Sequence, residues 1–192
     1  MVSGETLNLS GTGTLASAAV GSDKSVSIGT LALSDGSGES DNYTLSGGTL
    51  ELDVTTRNVT ISGSKSYDGN NTVSNSSIST FNNLVSGESL TITGSGTISS
   101  GAVGSNKTIS LGTLTLANGS GSASNYNLSG GTISVTRRVI NLSGSKTYNG
   151  TTSIAASDIN TFGNIVTGET LSLSGTGSVS SSAAENNKTL TL

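Results

Sequence analysis

The chain has no cysteine, histidine, tryptophan or proline. Without cysteine there are no disulfides and no thiolate nucleophile, and without histidine as well the usual protein zinc sites are excluded. General acid–base work by imidazole is excluded for the same reason. Charge is scarce: charged residues make up 10% of the 192 positions and the formal net charge is −4. With a pI near 4.6, there is no basic patch to displace phosphate counterions, which argues against nucleic acid as a partner. No apolar run approaches the roughly 20 residues of a membrane-spanning helix. Met1 leads directly into VSGETLNLSG, with neither the basic nor the apolar region of a secretory signal.

Ser, Thr, Gly and Asn fill the space that charge and aromatics leave. Hydrophobic residues reach only 31% and aromatics 3%, both low for a globular chain. This is not the signature of disorder, which joins low hydrophobicity to high net charge and abundant proline. The apolar residues are mostly Leu, Ile and Val, and they alternate with Ser and Thr as in half-buried strands.

The chain repeats itself. VSGE at Val2 returns as VSGE at Val85 and as VTGE at Val166, spacings of 83 and 81. NYTLSGGT from Asn42 returns as NYNLSGGT from Asn125, and GSKSYDGN from Gly63 as GSKTYNGT from Gly144. The two-residue difference is expected where LELDVTTRN faces the shorter ISVTRRV. The rare residues keep register: Tyr43 with Tyr126, Tyr67 with Tyr148, and Phe81 with Phe162. So do Lys24, Lys107 and Lys188, Lys65 with Lys146, and Glu5, Glu88 and Glu169. Arg57 matches Arg138, whereas Arg137 has no basic counterpart. A residue that recurs in every unit serves the unit, so these are structural anchors and the aromatics are expected in the core. The phrases divide the chain into the back part of one repeat (residues 1–57), one complete repeat (58–138) and the front part of another (139–192). The chain reads as a window on a longer array.

No stretch has helical periodicity. In the complete repeat, strands are expected near Asn58–Ser64, after Gly69, at Ser79–Leu84, Ser89–Thr93, Thr97–Ser100 and Lys107–Ala117, and separately at Asn125–Ser129 and Thr132–Thr136. Gly112 inside the Lys107–Ala117 run marks a bulge or bend where a strand changes partner. Short strands with turn signals every 8–12 residues predict an all-β fold of tandem antiparallel, immunoglobulin-like sandwiches of about 81 residues. A β-solenoid is the alternative, although it predicts similarity at 20–30 residues.

Lys65-Ser-Tyr67-Asp68-Gly69, Val85-Ser-Gly87-Glu88, Gly94-Ser-Gly96, Val103-Gly104-Ser-Asn-Lys107-Thr108 and Asn125-Tyr126-Asn-Leu128 follow one another in the complete repeat. Their order and spacing resemble the YDG-type, mostly-β glycine-rich tandem repeats of large bacterial surface adhesins of the filamentous-haemagglutinin kind. The resemblance covers essentially the whole chain. It departs at Asn149, which replaces Asp68; Asp-Gly and Asn-Gly both form turns. It implies an array-forming module at the bacterial cell surface or outside the cell, with no catalytic activity.

Other constellations have narrower readings. The repeated Lys and Glu residues suggest a Glu–Lys pair in each unit. A sharper alternative is a Lys–Asn isopeptide crosslink promoted by a carboxylate, since a small cysteine-free unit needs a staple. Asp35-Gly-Ser-Gly-Glu39-Ser-Asp41 has the composition of a calcium loop. Its counterpart from Asn118 to Ser124 lacks every carboxylate, which favours a solvated loop. No cofactor or metal is expected; calcium between repeats, using Asp53 or Asp68, is the alternative. The GSGS and SGTG runs lack the Lys-Ser/Thr ending and the following helix of a phosphate loop. The leading expectation is a non-enzymatic stalk, spacer or fibre segment whose partners are neighbouring copies of the same repeat. The alternatives are an adhesive module that grips glycan or protein through loops 34–42 or 70–80, and a filament subunit that associates head to tail by strand complementation.

Overall fold

The computed structural model describes residues 1–45 and 51–192; the end of the NYTLSGGT phrase, from 46 to 49, lies outside the described residues. Strands β1 (Leu7–Ser10), β2 (Thr14–Leu15), β3 (Gly21–Ser27), β4 (Ala32–Asp35) and β5 (Glu51–Val54) come first. They are followed by β6 (Arg57–Ser66), β7 (Thr72–Ser74), β8 (Ile78–Asn82), β9 (Leu90–Thr93), β10 (Ser95–Thr97), β11 (Gly104–Thr108), β12 (Thr115–Asn118) and β13 (Tyr126–Thr136). The last are β14 (Asn141–Gly144), β15 (Ser153–Ala155), β16 (Ile159–Gly163), β17 (Thr176–Val179) and β18 (Leu190–Thr191). Among the described residues there is no α-helix, only short 3₁₀ turns, and no helix long and apolar enough to cross a membrane. The protein is all-β, in small open sheets.

The chain divides into two compact units. The first contains residues 1–61, 80–94 and 113–131. In it β1 pairs with β4, β2 with β3, β3 with β5, and β9 with β12, all antiparallel. Its core is Val59, Leu90 and Tyr126, against which Phe81, Leu84, Leu116, Ala123 and Leu128 pack. Leu90 and Ile92 alternate with exposed threonines along β9, so one face is dry and the other wet.

The second unit contains residues 62–79, 95–112 and 132–192. Here β7 pairs with β10, β11 with β13, β14 with β16, β15 with β17, and β17 with β18. Val73, Ile98, Ile109, Ile133 and Val135 are buried.

The sequence repeat is a repeat of pairing register. Leu7 faces Asp35 as Leu90 faces Asn118, each partner 83 residues on. Thr72 faces Thr97 as Ser153 faces Ser178, each 81 residues on. The 3₁₀ turns follow the same offsets: Ser40–Asn42 returns as Ala123–Asn125, and Asn75–Ser77 as Ala156–Asp158.

The extra two residues of the first copy fall earlier than expected. Ser25 faces Glu51 as Thr108 faces Thr132, so the partner offset is already 81 at Glu51. Side chains alternate faces with a period of two, so an insertion of two leaves every later side chain on its original face, which an insertion of one would not.

Two glycine signals resolve differently. β11 ends at Thr108 and β12 begins at Thr115, with Gly112 at φ +57 between them. The run changes partner there, from β13 to β9, as the embedded glycine predicts. The two strands expected at 125–129 and 132–136 are instead one strand, β13, continuous through Gly130 and Gly131. Gly131 is needed for a close approach: a Cβ there would lie 2.3 Å from the Ile61 carbonyl oxygen.

Candidate functional site

The repeated glutamates sit at tight turns. In Val2–Glu5, Val85–Glu88 and Val166–Glu169 the Glu N–H donates to the Val carbonyl at 3.1, 3.0 and 3.0 Å. Gly4, Gly87 and Gly168 hold φ of 89°, 85° and 89° at the third position, which a type II turn reserves for glycine. The turn aims its carboxylate at a tyrosine. Tyr43 donates its hydroxyl proton to Glu5 and accepts from the Val2 N–H at 3.0 Å. Tyr126 does the same with Glu88 and the Val85 N–H, the latter at 3.2 Å. Each clasp closes 38 residues of chain. Glu169 takes another partner, the hydroxyl of Tyr67. Beside it Gly69, at φ +78, lies against Val166, whose Cγ1 would be 2.8 Å from a Cβ at that position. The bond to a carboxylate holds Tyr43, Tyr67 and Tyr126 above the ordinary tyrosine pKa. The expected Glu–Lys pairs are therefore replaced by Glu–Tyr pairs.

The lysines hold main chain. Lys65 Nζ donates to the carbonyls of Thr72 at 2.8 Å and Asn70 at 3.3 Å, and to Asn70 Oδ1 at 3.1 Å. It also forms an ion pair with Asp68 at 2.8 Å. Burial pushes the Asp68 carboxyl up, but the bonds from Lys65 and Asn70 outweigh it and hold the group below the usual range. Lys146 repeats the grip on the carbonyls of Thr151 (3.0 Å) and Ser153 (2.5 Å), with Asn149 where the acid stood. Lys188 reaches back to the carbonyls of Ser181, at 2.7 Å, and Ala183. Lys, Asn and carboxylate, the trio a crosslink needs, meet at Lys65; at Lys146 the matching positions are Asn149 and Thr151. Lys24 and Lys107 follow Asp23 and Asn106, both at φ 52, at irregularities in β3 and β11. Their Cε atoms lie 3.0 and 3.1 Å from where Gly21 and Gly104 would carry a Cβ.

Of the aromatics, Tyr126 is buried, Phe81 packs on the same core, and Tyr43, Tyr67 and Phe162 are half-buried. Tyr148 departs from the expected core placement: it is 67% exposed. The matched arginines have a role that side-chain chemistry alone did not reveal. Arg57 Nε donates to the Asn83 carbonyl and its Nη2 to Asn83 Oδ1, and Arg138 grips Asn164 in the same way. Asn83 and Asn164 are in the left-handed region, at φ 69 and 66. The signal was available: both lie 26 residues after their arginine.

The acidic loop is braced by its own chain. Asp35 accepts from the Ser40 N–H and hydroxyl, which lower its pKa; Asn118 does the same work by accepting from the Ala123 N–H at 2.8 Å. Asp53 accepts from the Asp23 N–H. Among the described residues no cluster of three or more acids could hold a metal ion. A cleft of about 570 Å³ opens within 142–190, with Leu142, Ile154, Ile159, Val179 and Leu190 in its wall and Lys146 and Lys188 beside them.

Compared with known families, residues 1–50 and 52–135 match the model of the YDG domain. No curated protein and no solved structure matches the chain.

Proposed function

This chain belongs to the YDG domain family, and on that premise we propose that it is a non-enzymatic structural segment of a large bacterial surface or secreted adhesin. Its repeats, 58–138 and the parts on either side, are immunoglobulin-like sandwiches strung into a stalk or fibre outside the cell. Their partners are neighbouring copies. The observation that carries this reading is the recurrence of the same pairing register at offsets of 83 and 81, together with the use of the recurring residues. The glutamates, Lys65, Lys146, Lys188 and the two matched arginines each tie a turn or loop to the same framework. Stability in such an array sums over units and their interfaces, which suits a spacer that carries tension.

Pulling the chain from its ends tests the mechanical part. A complete repeat of about 81 residues releases roughly 270–290 Å of contour, before its folded length is subtracted, in one step. Smooth extension with no force peak would sink the stalk reading. Protease treatment of intact cells that make the parent protein tests its location: cleavage within the repeat supports a surface position, and full protection refutes it. Specific binding of a glycan through loop 34–42 or 70–80 would move the assignment to an adhesive module.

A further inference from the structure

We propose that the loop held by Lys146 modifies itself: the main-chain nitrogen of Gly150 attacks the side-chain amide of Asn149 and leaves an aspartate or isoaspartate at that position. A glycine after the asparagine leaves the attacking nitrogen unscreened by a side chain. The same is true of Asn118-Gly119, so what distinguishes Asn149 is the folded loop.

Asn149 Oδ1 accepts from the Thr151 N–H at 3.2 Å and from the Thr151 hydroxyl at 2.9 Å. The first bond closes an Asx turn, which bends the side chain forward over the Gly150 peptide. Chemistry fixes the direction of the second. Lys146 Nζ lies 2.9 Å from Thr151 Oγ1 and has only protons to offer, so the hydroxyl accepts from it and gives its own proton to Asn149. Two donors thus converge on the oxygen that gains negative charge when the amide carbon is attacked. Gly150, at φ +76, donates its N–H to nothing among the described residues.

This turn is a property of the loop in both copies. The Asn70 N–H donates to Asp68 Oδ1 at 3.2 Å, and Gly69 stands at φ +78. The complete repeat therefore already carries the product residue type at this place, 2.8 Å from Lys65. Water reaches the position in each copy, since the Asp68 side chain is 38% exposed and Asn149 is exposed. Asn118 is built otherwise. Its backbone is held in β12 opposite Leu90, and its Oδ1 is turned to the Ala123 N–H. Gly119 has already committed its N–H to the Gly121 carbonyl, at 3.2 Å.

The reaction needs no co-reactant but water. The bond from Gly150 N to Asn149 Cγ forms, the Cγ–Nδ2 bond breaks, and the Gly150 amide proton leaves with the amino group as ammonia. Water then opens the cyclic imide. Opening at Cγ gives an aspartate beside Lys146, as Asp68 stands beside Lys65. Opening at the main-chain carbonyl gives isoaspartate, which adds one carbon to the backbone. Either product brings a negative charge to the loop, whether or not the repeats form a stalk.

Ageing the full chain in mildly alkaline buffer, followed by peptide mass mapping, is the test. A gain of about 1 Da should appear at Asn149 well before Asn118. In guanidinium, where the chain is unfolded, the two sites should convert at similar rates because both precede glycine. Thr151→Val keeps a branched side chain but removes the hydroxyl, and should slow conversion at Asn149 about fivefold, the worth of one hydrogen bond. Thr151→Ser returns the hydroxyl and should restore the rate. Conversion at Asn149 no faster than at Asn118 in the folded chain would overturn the proposal. So would a preference for Asn149 that persists in guanidinium, indifference to Thr151→Val, or failure of Thr151→Ser to restore the rate. The two asparagines are compared within one molecule, so the test keeps its force even if a variant folds poorly.

Discussion

Lys65→Met asks what the repeated lysines are for. The side chain of Lys65 is only 7% exposed, whereas Asp68 is 38% exposed. If the ion pair is what matters, the half-exposed partner limits its worth to about 0–1 kcal/mol. If the grip on main chain matters, the variant loses the bonds to the Thr72 carbonyl and to both oxygens of Asn70. Hydrogen bonds to a charged group are worth about 1.5–3 kcal/mol each. Part of that is returned, because the ammonium no longer has to be desolvated and Met keeps the volume of the alkyl chain. A net loss of about 2–3 kcal/mol is expected for Lys65→Met, and under about 1 kcal/mol for Asp68→Asn. The second value has a natural precedent, since Lys146 holds its loop with Asn149 in that place. Two compact units need not unfold in one transition, so urea denaturation should be read locally, by hydrogen exchange at the amides of 70–74. If Asp68→Asn costs 2 kcal/mol or more, or the coupling of the two changes equals the whole loss at Lys65, the main-chain account fails.

Three more tests are independent of that one. A tyrosine whose folded pKa is raised contributes stability that is whole below its ordinary value of 10.0 and is lost as pH rises through the folded value, so Tyr43, Tyr67 and Tyr126 make the fold weaken above pH 10. The ultraviolet absorbance of ionised tyrosinate should therefore rise at higher pH in the folded chain than in the urea-unfolded one, and coincident curves refute the clasps. Ile133→Ala, at a fully buried site, should cost about 2–5 kcal/mol in denaturant unfolding, whereas Leu171→Ala, at an exposed site, should stay within about 0.5 kcal/mol. Gly131→Ala places a methyl 2.3 Å from the Ile61 carbonyl oxygen and should destabilise on the scale of that core truncation, while Gly163→Ala, with 3.4 Å to its nearest atom, should be close to neutral; equal effects would remove the close-approach argument.

The all-β class was legible because Leu, Ile and Val alternate with Ser and Thr, and the period was legible because Lys, Tyr and Glu are rare enough to act as markers. Partner choice was less so. A lysine that binds carbonyl oxygens leaves no trace at its partners, since every residue has a carbonyl; Lys146 could be read as recurring, but Thr151 and Ser153 could not be picked out. The Tyr67–Glu169 bond spans 102 residues and two copies, so pairing each glutamate with a residue of its own repeat misses it. Continuity of β13 through Gly130 and Gly131 was hidden for another reason: paired glycines normally interrupt a strand, and here the nearness of the Ile61 carbonyl requires one of them.

Lys65 and Lys146 shape their loops by holding atoms that substitution does not change. Side chains of those loops that bind neither the lysine nor the loop backbone are thus released from the task of folding, whereas the exchange of Asp68 for Asn149 and of Asn70 for Thr151 keeps a bound side-chain oxygen at each place. Such loops can diverge from copy to copy, or accept grafted sequence, while the geometry that presents them stays constant. The lysine separates what the loop looks like to the outside from how it is built.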